Sequence, residues 1–84
     1  MYEDNLVIAF DSTQQALRTE MLLEYAEIEI DIRPTPKEIT AGCALSIEFP
    51  GRHLAQVRQI LRDEHVELRG IFQPLESGGY AELQ

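Results

Sequence analysis

Residues Ile28-Glu29-Ile30-Asp31-Ile32 alternate apolar and acidic side chains, and Cys43-Ala44-Leu45-Ser46-Ile47-Glu48-Phe49 alternates apolar and mostly small or polar ones. A period of two is typical of a β-strand with one face buried and the other polar. Between the two runs, Pro34 and Pro36 bias the residues before them away from helix. The stretch therefore predicts two strands, joined by a proline-stiffened loop, in a sheet that is covered on one face.

The segments on either side of this stretch form two similar halves. In the first half, the apolar run Leu6–Phe10 predicts a central strand, and residues 12–26 show the periodicity of an amphipathic helix. In the second half, residues 52–65 show the same helical periodicity, and a last strand is predicted over residues 66–72. The order of the elements is therefore βαββαβ.

This order predicts an α+β fold of the ferredoxin-like kind, because two right-handed crossovers place both helices on the same face of one sheet. We expect a two-layer sandwich with an antiparallel four-stranded sheet. The domain is predicted over residues 1–73, and residues 74–84 are predicted to form a flexible C-terminal tail. On the face without helices we expect a solvated strip of small residues, with a modest dimer contact as the alternative, at Val7, Ala9, Ala44 and Ser46.

The charge of the chain argues against binding to nucleic acids and membranes. Seven Lys and Arg face fifteen Asp and Glu among 84 residues, and the net charge of −8 repels phosphate backbones and anionic lipids. No apolar run approaches the roughly 20 residues that span a bilayer. The acidic start Met1–Asn5 lacks the features of a signal peptide. Together with a single cysteine, these features predict a cytoplasmic protein.

Cys43 is the only cysteine, so it forms neither an intramolecular disulfide nor a Cys-x-x-Cys redox pair. Two interpretations are open: a small buried apolar residue, or a single nucleophile that carries a group. The period-two pattern places its side chain toward the helices, which favours burial. Its position at the rim of the sheet behind Gly42 favours access, since glycine leaves room for a ligand or partner. Arg33 and Lys37 in the preceding loop are cations that can stabilise a thiolate.

The other polar residues offer no self-sufficient active site. His53 and His65 lie most of a helix apart and have no partner at metal-ligand spacing. The Ser and Thr residues show no Ser-His-Asp arrangement, and no Gly-rich phosphate loop follows a strand. We therefore expect the protein not to be an enzyme and to bind no metal or cofactor.

Two motifs are similar to those of a known family. Phe10-Asp11-Ser12-Thr13-Gln14-Gln15-Ala16-Leu17 and Thr35-Pro36-Lys37-Glu38-Ile39, the latter leading through a turn to Cys43, resemble the putative selenium/sulfur carrier protein-like family, a small domain of unknown function. The resemblance covers about residues 6–72. It implies that Cys43 holds sulfur or selenium as a persulfide or selenosulfide. The loop that would support this thiol contains Arg33, Thr35, Pro36, Lys37 and Gly42.

The sequence departs from the family pattern at one position. Family members usually place glycine directly after the cysteine, whereas this chain has Ala44 there and its glycine at Gly42. A carrier also implies donor and acceptor proteins that exchange the chalcogen with Cys43. The alternative is a non-catalytic protein-interaction or ligand-sensing module with a structural cysteine, which could form a weak homo-oligomer. The reactivity of the native thiol distinguishes the two, because a core cysteine is inert until the protein unfolds.

Overall fold

The computed structural model describes residues 4–83 and shows an α+β fold. A short 3₁₀ turn, Gly51–His53, precedes the second helix. In chain order the helices and strands are β1 Asn5–Ala9, α1 Thr13–Tyr25, β2 Asp31–Pro34, β3 Leu45–Pro50, α2 Leu54–Asp63, β4 Gly70–Pro74 and β5 Tyr80–Glu82. The predicted class, with two helices and an antiparallel sheet, is confirmed.

The strands form one sheet in the order β2-β3-β1-β4-β5, and each neighbouring pair is antiparallel. Helix α1 connects β1 to β2 across β3, and α2 connects β3 to β4 across β1. The two halves are therefore interleaved. This interleaving brings the end of β1 next to the start of β3.

The predicted count of four strands is wrong, because β5 adds a fifth strand beside β4. It forms within the segment that we predicted as a tail. Gly78 and Gly79 have φ values of 86° and 87°, in the left-handed region that glycine adopts at little cost. Their turn is closed by a hydrogen bond of 3.0 Å from the Leu75 amide to the Gly79 carbonyl. Two adjacent glycines are a hairpin signal, and here they return the chain to the sheet.

Helix α1 ends in a Schellman motif, which explains why the second strand starts later than predicted. Glu27 has a left-handed φ of 62°, and its amide donates to the Glu24 carbonyl over 2.9 Å. The Ile28 amide donates to the Leu23 carbonyl over 3.0 Å, and Ile28 is buried. These are the two hydrogen bonds and the apolar contact of the motif. Ile28 thus closes the helix, and β2 begins only at Asp31.

Helix α2 ends in the same way. His65 has a φ of 54°, and the Val66 amide donates to the Leu61 carbonyl over 3.0 Å. Val66 is buried, as the apolar residue after such a motif usually is. The predicted start of the last strand at residue 66 is therefore wrong, because that residue belongs to the helix end and β4 begins at Gly70.

Both helices pack on one face of the sheet around a single apolar core. Strand residues of this core alternate with residues on the other face, as the sequence predicted. The largest fully buried side chains of the core are Leu6, Ile8, Phe10, Leu23, Ile47, Phe49 and Val57. None of the helices in the described part of the chain has the length and apolarity needed to span a bilayer.

The opposite face of the sheet is covered by the chain itself, so the predicted solvated strip is wrong. Val7, Ala9 and Ser46 are at most 4% exposed. Ile39, from the loop between β2 and β3, folds over this face and packs with Val7 and Ala9. Tyr80 of β5 packs against the same cluster. Of the predicted strip, only Ala44 is exposed.

Candidate functional site

Cys43 lies just before β3, where the chain passes the end of β1. Its amide donates a hydrogen bond of 3.0 Å to the carbonyl of Phe10, the residue that follows β1. The residue is only 4% exposed and belongs to the core between the sheet and the helices. The burial expected from the period-two pattern is therefore confirmed, and the thiol sits at the rim of the core.

The Cys43 sulfur lies beside the first residue of α1. Its distance to the Thr13 hydroxyl oxygen is 3.4 Å, within hydrogen-bond range for sulfur. The Leu45 amide donates a second hydrogen bond to the sulfur, also over 3.4 Å. The amino-terminal end of a helix carries partial positive charge. The sulfur therefore lies beside a helix end, an amide donor and a hydroxyl that can either donate or accept.

Only a thin layer of residues separates the thiol from solvent. Both chain neighbours of Cys43, Gly42 and Ala44, are exposed, and so is Thr13. The site is therefore a shallowly buried thiol, in contrast to the fully buried Phe10 and Ile47 deeper in the core.

Two polar side chains hold the Cys43 segment in place. The Thr35 hydroxyl donates to the Cys43 carbonyl over 3.0 Å, and the Thr35 amide donates to the Ala44 carbonyl over 2.8 Å. On the other side, the Gly42 amide donates to the Asp11 carboxylate over 2.8 Å. The segment is therefore tied both to the loop before it and to the β1–α1 connection.

Gly42 has a steric role that differs from the one that the sequence suggested. We expected the missing side chain to leave room for a ligand or partner. A Cβ atom at this position would lie 2.9 Å from the Asp11 carbonyl oxygen and 3.3 Å from the Asp11 Cα atom. The space is therefore filled by backbone, and glycine permits the close approach of two loops.

The predicted cations do not contact the sulfur. Arg33 pairs with Ser46 across β2 and β3, and its Nε atom lies 3.9 Å from the Glu48 carboxylate. This places its side chain on the opposite face of the sheet from Cys43. Lys37 is exposed in the loop. The hydrogen-bond partners of the sulfur among residues 4–83 are Thr13 and Leu45.

The remaining predicted residue, Pro36, shapes the loop. Its carbonyl accepts a hydrogen bond of 3.0 Å from the Ile39 amide, which closes the turn that brings Ile39 over the sheet. The sequence did not single out Thr13 and Asp11 as site residues. Both lie about 30 residues from Cys43 in the chain, and only the pairing of β1 with β3 brings them together.

The described part of the chain shows no group of three or more His, Cys, Asp or Glu side chains placed to hold a metal ion. His53 lies at the start of α2 and His65 just after its end. The chemistry available at the site is therefore that of one thiol with its hydrogen-bond donors.

Comparison with known proteins places this site within a described family. The model of the family described as "Putative Se/S carrier protein-like" matches residues 5–73, which include Cys43 and its hydrogen-bond partners Phe10, Thr13, Thr35 and Leu45. This match confirms the resemblance seen in the sequence. No curated protein and no solved structure matches the chain. The ferredoxin-like assignment therefore stays a prediction.

Proposed function

This chain belongs to the putative Se/S carrier protein-like family, and from that premise we propose that it carries sulfur or selenium on Cys43. The observation that supports this role best is the environment of its only thiol. The sulfur lies at the rim of the core and within hydrogen-bond distance of the Thr13 hydroxyl and the Leu45 amide. Both groups can donate to a thiolate, which is the form that attacks.

The transfer step needs no oxidant and no reductant. The Cys43 thiolate attacks the outer sulfur of a persulfide on a donor. A bond forms between the two sulfur atoms, the sulfur–sulfur bond of the donor breaks, and its electron pair leaves with the donor thiolate. Cys43 then holds a persulfide, and attack by an acceptor thiolate on the outer sulfur regenerates the Cys43 thiolate. With selenium, the bound species is a selenosulfide.

The protein supplies storage and protection rather than bond activation. A carrier needs no general base of its own when the donor delivers an already activated chalcogen. Burial of Cys43 limits contact with solvent thiols, which would remove the outer sulfur. Gly42 and Ala44, the chain neighbours of Cys43, are exposed. Donor and acceptor proteins therefore reach the Cys43 sulfur from this side to exchange the chalcogen. We include in the proposal donor and acceptor proteins, a cytoplasmic location, a ferredoxin-like fold and no catalytic turnover of its own.

Intact-mass spectrometry tests the carrier role. The protein is incubated with glutathione persulfide, and separately with a cysteine desulfurase and L-cysteine. We expect the wild type to gain the mass of one sulfur atom, and dithiothreitol to remove it. Cys43→Ser should gain none while keeping its circular dichroism spectrum. Ala44→Ser, an exposed change beside the thiol, is the matched control and should gain sulfur like the wild type. No gain by the wild type from either donor, or an equal gain by Cys43→Ser, would refute the proposal.

The alternative, an interaction module with a structural cysteine, is favoured by a different observation, which is that Cys43 is only 4% exposed. The two functions differ in how the thiol reacts with a disulfide reagent in urea. A carrier thiol becomes accessible by local opening, so its labelling rate is nearly independent of urea below the unfolding transition. A structural cysteine is labelled only on global unfolding, and its rate rises with urea throughout.

A further inference from the structure

Helix α1 exposes a row of large apolar side chains to solvent. Leu17, Met21 and Tyr25 are 48%, 70% and 92% exposed. They are spaced by four residues, so they lie along one side of the helix. At 3.6 residues per turn this side is roughly opposite the buried residues, which are Ala16, Thr19 and Leu23. We refer to Leu17, Met21 and Tyr25 as the α1 row.

The amino-terminal end of the α1 row lies one helical turn from Thr13, which contacts the thiol. Four residues before Leu17 stands Thr13, whose hydroxyl lies 3.4 Å from the Cys43 sulfur. The spacing of four continues from Thr13 through the row, and because each step turns by about 40°, Thr13 lies at the edge of the row, between the exposed side and the core. A molecule that covers the row therefore also reaches the segment that hides Cys43.

The charges on one flank of the α1 row are acidic, and the Arg on the other flank is paired with a glutamate. Residues 19–32 contain five acidic residues and no Lys or Arg. Within α1, Glu20 and Glu24 lie along one flank of the row. On the other flank, Arg18 is engaged by Glu64 at 3.3 Å. A complementary surface therefore has an apolar floor and a rim of Lys and Arg.

The size of the α1 row points to a short-lived complex. Three side chains fall short of the ~800 Å² per partner that a stable protein complex buries. A second copy of this chain is also a poor occupant, because each copy has a net charge of −8. Short-lived contact is what transfer between a donor and an acceptor needs. The row instead fits helix-in-groove recognition, in which apolar anchors at helical spacing enter a groove of the partner.

We propose that the α1 row is the docking surface for the protein that exchanges chalcogen with Cys43, and that this protein binds it in an apolar groove rimmed by Lys and Arg. The inference rests on the proposed carrier function. It adds to that function a specific surface and the chemistry of the partner.

A photocrosslinking amino acid that replaces Met21 tests the inference, with the protein expressed in living cells of its source organism. The same amino acid at Gln59, which is exposed on α2, is the matched control. We expect a protein with a cysteine of its own to be captured from position 21 and not from position 59. The purified captured protein should transfer sulfur to the wild type. It should do so at least about tenfold more slowly to Met21→Glu, since a lost central anchor costs at least that much in binding.

The outcomes separate this inference from the carrier function. Loading of Met21→Glu by glutathione persulfide should equal that of the wild type, because Met21 does not contact the thiol. If Cys43 loads from glutathione persulfide but position 21 captures nothing, captures only a second copy, or captures the same protein as position 59, the docking surface is refuted and the carrier function stands. A captured protein that transfers sulfur equally to Met21→Glu and wild type also refutes it. If Cys43 loads from no donor, the carrier function itself fails, and the docking surface falls with it.

Discussion

At the scale of single residues, the Thr13 hydroxyl is a side chain within hydrogen-bond distance of the Cys43 sulfur, and it can donate to a thiolate. The other hydrogen-bond partner of the sulfur is the Leu45 amide, a backbone donor that mutation leaves in place. A hydrogen bond to a thiolate raises the thiolate fraction and lowers its intrinsic nucleophilicity by a smaller amount. We therefore expect Thr13 to accelerate reactions in which its hydroxyl stays within hydrogen-bond distance of the sulfur.

Replacing Thr13 by Val keeps the shape of the side chain and removes this donor. We expect alkylation of the native protein by iodoacetamide at constant pH to slow by about three- to tenfold. A hydrogen bond to a charged group contributes about 1.5–3 kcal/mol, and the gain in nucleophilicity offsets roughly half of that loss. Thr40→Val is the matched control, because it makes the same chemical change at an exposed residue that is not a hydrogen-bond partner of the sulfur. An unchanged or faster reaction of Thr13→Val would contradict this role.

The sequence predicted the burial of Cys43 but not the residues that surround it. The period of two located Cys43 on the helix-facing side, and burial followed from that. Arg33 and Lys37 were chosen because they are near Cys43 in the chain, yet Arg33 points to the other face of the sheet. Thr13 and Asp11 were missed because their contacts depend on the pairing of β1 with β3. Local periodicity predicts the face of a residue and contains no information on which distant loop meets it.

At the scale of elements, the two helix ends decide where the following strands begin. Glu27 and His65 adopt left-handed φ values, which are costly for residues with a Cβ atom. The apolar residues after them, Ile28 and Val66, satisfy both a strand pattern and the apolar position of a Schellman motif. Positions 27 and 65 hold Glu and His rather than glycine, so the sequence lacks the usual signal for a helix end. The strand starts were therefore predicted too early, whereas the helices themselves were predicted well.

Glu27→Gly should stabilise the protein by about 0.5–1 kcal/mol, because glycine relieves the left-handed strain. It also removes a negative charge from the carboxyl-terminal end of α1, where the helix dipole disfavours it. Urea unfolding monitored by circular dichroism measures this change. Glu27→Gln removes the charge alone and should give a smaller gain.

The same substitution one turn earlier should have the opposite sign. Glu24 lies inside α1 and is exposed, and glycine in a helix interior costs about 1 kcal/mol. Glu24→Gly is therefore expected to destabilise the protein. If both glycine variants shift the unfolding midpoint in the same direction, the left-handed residue does not strain the helix end.

At the scale of the whole molecule, the fold closes the centre of the helix-free face of the sheet to a partner. The helix-free face of the sheet, which we predicted to be open, is covered by Ile39 and Tyr80. The sequence did not predict this cover, because it depends on a loop and on a strand that contact residues far away in the chain. The exposed apolar side chains are found instead mainly on the outer side of α1. The same fold therefore covers the centre of the helix-free face of the sheet and leaves the α1 row, which starts one helical turn from Thr13, exposed to solvent.

The net charge of −8 should act on every charged reagent that approaches Cys43. The Debye length is about 30 Å at 0.01 M salt, comparable to the longest dimension of the molecule, 34 Å. At low salt the thiol therefore experiences the charge of the whole protein. At 1 M salt the Debye length is about 3 Å, and only adjacent charges act.

We expect the dianion 5,5′-dithiobis(2-nitrobenzoate) to react with Cys43 faster as salt rises, because screening weakens its repulsion. The neutral reagent 2,2′-dipyridyl disulfide should show no such dependence. Stopped-flow absorbance measures both rates, and a neutral cysteine derivative treated in the same way corrects for the intrinsic reactivity of each reagent. Equal salt dependence of the two corrected rates would contradict the prediction. It would mean that local groups such as Thr13 and Leu45 outweigh the net charge in selecting what reaches the thiol.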